Sequence, residues 1–170
     1  MLKILGIVLV VAASSAVGFG FAANVRAQAQ QLLELTGAME YMKNEISYRL
    51  TPLPELFALL QRPNDKAVGA FFGRLAQQMA QDPAASVQGV FRDALQKTPL
   101  ALSQNARQTL LELSMSLGKF DAAGQVSAIE LAAGRLRQEL QALESRRRER
   151  CRSYETIGVC AGLALAVILL

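Results

Sequence analysis

Residues 121–170 read DAAGQVSAIELAAGRLRQELQALESRRRERCRSYETIGVCAGLALAVILL, and the rest of the chain has to pair with this stretch. Its apolar residues fall at Val126, Ile129, Ala133, Leu136, Leu140 and Leu143. Alternating steps of three and four are the a/d spacing of a helix with one narrow apolar seam. The seam gives way to Arg146, Arg147, Arg148, Arg150 and Arg152, and then to an apolar tail over 157–170. One long helix is therefore predicted to carry a packing seam, a basic collar and a membrane insert in succession.

Upstream, residues 32–46 repeat the pattern with Leu32, Leu35, Met39, Met42 and Ile46. Two seamed helices, one leaving the N-terminal apolar run and one returning to the C-terminal tail, predict an antiparallel pair. Gln28, Gln30, Glu34, Glu40 and Lys43 lie off the seam and are expected to face solvent or a partner. Residues 4–25 contain no charged side chain and are long enough to span a bilayer. Two readings compete there: an uncleaved anchor, or a signal peptide cut after Val25-Arg26-Ala27. The run exceeds a usual signal h-region and Arg26 sits awkwardly in a cleavage site, which favours the anchor. Ser14 and Gly18, four apart, form a small face on which another membrane helix can approach, although small residues are common in such helices anyway.

Between the seamed helices, the five prolines (52, 54, 63, 83 and 99) punctuate short elements. Thr51-Pro52-Leu53-Pro54-Glu55 reads as a helix start, with Thr51 as cap and Pro52 in the first helical position, opening a short helix over 55–60. Asp65 caps a helix over 66–81 whose inner face is Val68, Phe71, Phe72, Leu75 and Met79. Ser86 caps the next, with Val87, Val90, Phe91, Ala94 and Leu95 inward. Ser103 caps one striped by Ala106, Leu110, Leu113 and Leu117, stopped at Gly118, and Asp121 caps the last. No strand pattern competes. The expectation is an all-α, six-helix bundle-like domain with long antiparallel first and last helices: an anchor over 1–25, a soluble domain over 26–153, and a membrane-inserted segment over 154–170.

Composition narrows the chemistry. The 170 residues carry a net charge of +4 and include neither His nor Trp. Without His, the commonest general base and metal ligand are gone, and no phosphate-cradling glycine loop is present. Glu40 and Glu45 stand on different faces of one helix, and the carboxylates read as ordinary solvated positions. Gly69 and Gly73 sit within a helical pattern, where they serve close packing. Cys151 and Cys160 are nine helix positions, roughly 13 Å of rise, apart, too far for a disulfide. No enzyme, metal site or cofactor is expected.

Five of thirteen arginines are in the collar, and without it the chain is near neutral. Arginines beside an apolar tail mark membrane topology rather than nucleic-acid binding, with lipid headgroup contact as a companion role. They favour a cytoplasmic domain, against the weaker opposite pull of Lys3. The tail is short for a span, so it either crosses a thin bilayer from Tyr154 or inserts partway. Gly158 and Gly162 in it form a helix-packing motif, with the first anchor as a plausible partner.

With these features in view, the chain resembles the stage III sporulation protein AB family of endospore-forming bacteria. The resemblance rests on Met1-Leu2-Lys3, on Ala38-Met39-Glu40, and on the string from Glu45-Ile46-Ser47-Tyr48 through Thr51-Pro52-Leu53-Pro54-Glu55. Leu117-Gly118-Lys119-Phe120-Asp121 with Gln125 and the ending from Tyr154 through Ile157, Gly158 and Gly162 extend it to the whole chain. Phe120, Cys151 and Cys160 are local departures. The resemblance implies a small protein of the channel complex linking mother cell and forespore, at the outer forespore membrane. It also implies a soluble part similar to the cytoplasmic domain of the type II secretion system F protein, a secretion-type ATPase and other membrane proteins as partners, and no catalytic residues. Glu45, Tyr48, Thr51, Pro52, Pro54 and Glu55 are then the expected docking surface, or else the frame of a buried hairpin corner. A cleaved N-terminus would instead make the chain an extracytoplasmic scaffold between two membranes.

Overall fold

The two seams pack on each other. In the computed structural model, Leu32, Leu35, Met39 and Met42 of α1 (Leu2–Arg49) and Leu136 of α6 (Ala122–Leu169) are all at zero exposure. Ile46, Ile129 and Ala133 are buried with them, while Val126, Leu140 and Leu143 are partly buried against the same core. The helices are antiparallel, as charges beside the seam record: Glu40 pairs with Arg137, and three residues on, Lys43 reaches back to Glu130. The structure describes backbone at residues 2–61, 66–117, 119 and 121–169, and side chains at 24–61, 67–117, 119 and 121–145.

Four shorter helices lie between: α2 (Leu53–Leu59), α3 (Lys66–Gln81), α4 (Val87–Lys97) and α5 (Gln104–Ser116). There is no strand among the described residues. The expected inner faces hold, since Val68, Phe71, Phe72, Leu75, Val90, Phe91, Ala94, Leu95, Ala106, Leu110, Leu113 and Leu117 are buried, with Met79 and Val87 partly buried against them. Phe57 of α2, not singled out from the sequence, joins Phe71, Phe72 and Phe91 in a cluster with ring centroids 5.2–6.1 Å apart, welding α2, α3 and α4. Edge-to-face rings at this spacing are favoured over bare area burial.

Three of the caps form as read. Ser86 Oγ accepts from Gly89 N at 3.1 Å, Ser103 Oγ from Ala106 N at 3.0 Å, and Asp121 Oδ1 from Gly124 N at 3.0 Å. Arg107 of α5 adds a tie absent from the sequence reading. Its Nη1 donates to Leu95 O (2.8 Å) and its Nη2 to Leu100 O (2.7 Å), closing the carbonyl end of α4. Gln31 Oε1 accepts from Ala101 N at 2.7 Å, pinning the same loop to α1.

Two expectations change. Glu40 and Lys43 are not free faces, because they bridge α1 to α6; Glu112 likewise ties α5 to Arg135 of α6. The short helix starts earlier, at Leu53 rather than Glu55. Ser14, Gly18, Asp65, Gly118, the five collar arginines, Cys151, Cys160, Gly158 and Gly162 lie outside the described side chains or residues. Among the described residues no helix is long and apolar enough to cross a membrane.

Candidate docking corner between α1 and α2

The chain turns between α1 and α2 over residues 50–52, and the local cause is stereochemical. Thr51 precedes Pro52, whose ring disfavours helical backbone at the residue before it. Leu50 takes φ +52°, the left-handed conformation that commonly follows a helix end but is normally given to Gly or Asn. Pro52 then stands at the N-cap position of α2 in extended backbone (φ −60°, ψ 144°), its carbonyl accepting from Leu56 N at 2.9 Å.

Thr51 does not cap α2. Its Oγ1 donates to Glu45 Oε2 at 2.9 Å, back inside α1. Pro54 occupies an early position of α2 whose N–H would have had no partner within the helix, so no bond is lost. Glu45 is itself a correction to the reading of solvated carboxylates, being 7% exposed. Besides Thr51 it has the Arg49 guanidinium at 3.4 Å, and Arg49 is largely exposed. A buried carboxylate with two such partners acts as the latch of the corner.

The other residues of the string point elsewhere. Tyr48 is 84% exposed and Leu50 71% exposed, so the corner is buried at Glu45 and open at its tip. Pro52 and Glu55 are exposed, while Pro54 and Thr51 are half-buried. Pro54 and Glu55 also border an open groove of about 770 Å³ between α2 and α3, with Ala58, Ala70, Gly73 and Arg74 around it. The sequence string is thus divided: Glu45 and Thr51 hold the turn, Tyr48 and Leu50 project from it, and Pro54 and Glu55 open into the groove. Leu50 flanks the turn by its place in the sequence, but neither its backbone conformation nor the position of Arg74 is legible there. The αL backbone at a leucine leaves no compositional trace, and a solvated arginine on α3 has no periodicity to betray it.

The all-helical fold agrees with that of a known protein. The sequence profile of stage III sporulation protein AB matches residues 3–170. The chain belongs to the stage III sporulation protein AB family. It is 26% identical over 172 aligned positions to stage III sporulation protein AB of Bacillus subtilis (strain 168), covering all of both chains. A solved structure of a stage III sporulation protein AB, 22% identical, superposes with a TM-score of 0.66, covering 72% of this chain and 98% of the other. At that identity the superposition speaks for the all-helical fold alone. Membership of the stage III sporulation protein AB family gives the chain a role in sporulation, in a family of sporulation proteins rather than a known enzyme family.

Proposed function

We propose that this member of the stage III sporulation protein AB family is a non-enzymatic, membrane-anchored adaptor of the mother cell–forespore channel complex, whose domain docks a secretion-type ATPase. The observation that carries the reading is the antiparallel pairing of α1 and α6. The chain enters the domain along α1 and leaves along α6 at the same end, and the sequence places an uncharged run and an arginine-flanked apolar tail just beyond those points. One membrane holding both ends is the simplest use of that arrangement. Arg146, Arg147, Arg148, Arg150 and Arg152 would then face anionic headgroups, at about 1 kcal/mol each near the surface.

Tyr48 and Leu50 lie at the other end of α1, about 33 Å of helix rise beyond Arg26. Exposed apolar side chains on a latched turn suit docking. The surface carboxylates Glu40, Asp93, Glu112 and Glu130 are engaged by Lys43, Lys97, Arg135 and Arg137 across or along helices, a bracing role. The adaptor fixes geometry, and the energy comes from the partner.

The test is binding of the full chain in lipid nanodiscs to a purified secretion-type ATPase of the same sporulation system. Saturable binding that weakens at least about tenfold in Tyr48→Ala or Leu50→Asp is expected. No binding overturns the ATPase as partner; binding unaffected by either variant removes the corner as its dock.

A further inference from the structure

The groove between α2 and α3 has two features that the adaptor reading does not use. Its walls carry opposite charges: Glu55 stands on α2 and Arg74 on α3. Both are exposed, and they do not meet each other. Among the described residues Glu55 has no ion pair or hydrogen bond, and Arg74 acts only through its field on Asp93 of α4. The second feature is the lining. Ala58, Ala70, Gly73, Ala76 and Ala80 line it together with Gln61 and Gln77, and the Gln61 side chain lies over Gly73, where a Cβ would stand 2.9 Å from Gln61 Cδ. Helices with small residues at the contact approach to about 8 Å, the near end of the packing range. Leu59, one turn along α2 from Glu55, is 53% exposed.

We infer that this groove is a self-association surface, occupied by α3 of a second copy of the chain. An isologous contact requires a patch complementary to its own rotated image, so that residue i meets j and j meets i. A groove with one acid on one wall, one base on the other and small residues between has that property. A two-fold axis along it sets Arg74 of each copy against Glu55 of the other, two charge pairs from two residues. The small lining lets α3 of each copy enter, and Leu59 of each is covered by its counterpart. A foreign helix would have to bring its own matching pair of charges; a second copy already has them.

The experiment is sedimentation equilibrium of the full chain in density-matched detergent, with Cys151→Ser and Cys160→Ser to exclude disulfide artefacts. The expected result is a reversible monomer–dimer equilibrium. Glu55→Arg alone and Arg74→Glu alone each raise its Kd by at least about tenfold. The chain carrying both reversals regains dimerisation to within about threefold of the original Kd, because each reversed charge then faces a reversed partner on the other copy. Gln77→Trp, which fills the groove, weakens association like a single reversal. Thermal melts followed by circular dichroism confirm folding, since Glu55, Arg74 and Gln77 are all exposed. A monomer at every concentration, or a dimer indifferent to the reversals, overturns the inference. A double reversal no better than either single one also overturns it.

Discussion

Leu50 carries a cost at the residue scale that its side chain does not repay. Left-handed backbone costs a non-glycine residue about 1–2 kcal/mol, and with 71% of its surface exposed the leucine recovers little by packing. Leu50→Gly should therefore stabilise the chain by about 0.5–1 kcal/mol in urea unfolding, part of the strain relief being lost to the freer unfolded glycine. A loss of stability would instead mean that the leucine packs in the folded protein. Thr51 is the opposite case. Removing its hydroxyl leaves Glu45 buried with only Arg49, so Thr51→Val should cost about 1–2 kcal/mol. An unchanged midpoint would show the latch to be idle. The Thr-Pro-Leu-Pro-Glu string made the turn legible but not its wiring. Capping rules look forward from Thr51 to α2, whereas the left-handed Leu50 swings its hydroxyl-bearing neighbour back to an acceptor in α1. Of the two readings that Glu45 and Tyr48 share, docking surface or buried corner, Glu45 takes the buried place and Tyr48 the exposed one.

The elements were readable wherever their information is local. Periodicity gave both seams, and Ser86, Ser103 and Asp121 announced their helices by residue type alone; each should lose about 1 kcal/mol on replacement by Ala, measured by chemical unfolding. The seam itself is far more sensitive: Met39→Ala or Leu136→Ala opens a cavity worth about 2–5 kcal/mol. Contacts between distant faces were not readable. Glu40 and Arg137 are 97 residues apart, and Gln31 and Ala101 are 70 apart, on positions whose pattern says only that they are polar. These pairs have a pH signature. The Arg137 guanidinium, hydrogen-bonded to Glu40, holds that carboxyl below its ordinary value of 4.5 against a smaller opposing effect of desolvation, with Lys43 helping. Arg135 first and then Gln108 do the same for Glu112, and Lys97 then Gln78 for Asp93. A depressed folded pKa gives stability that is present above the unfolded value and lost as pH falls through the folded one. Tm should thus be level near neutrality and fall as pH drops below about 4.5, less steeply in Glu40→Gln. Lys43 has the opposite sign: Glu40 and then Glu130 raise its pKa, so its contribution fades only above its ordinary 10.5 and leaves the acid limb alone. A melt rising toward pH 3 would contradict the bridging role of these carboxylates.

At the scale of the whole molecule, two long helices frame four short ones and bring the chain's apolar continuations to one end. The frame was legible because family strings at both ends and at the corner lie in order along 3–170, the span over which the family profile matches. The partner was not legible, because a docking surface needs complementarity to another molecule and imposes no period on its own sequence. Tyr48 is already marked by the family string, whereas the exposure of Leu50 and the α2–α3 groove emerge only once the fold has buried everything around them. In the adaptor proposed above, both ends enter one membrane and the helical domain lies on its cytoplasmic side. Cys151, between the collar arginines Arg150 and Arg152, is a natural reporter of that side. The measurement is labelling of Cys160→Ala in intact cells with a membrane-impermeant thiol reagent, followed by labelling after lysis. Protection before lysis and labelling after it is the predicted result. Labelling in intact cells would place the domain outside, contradict docking to a cytoplasmic ATPase, and leave a scaffold between two membranes.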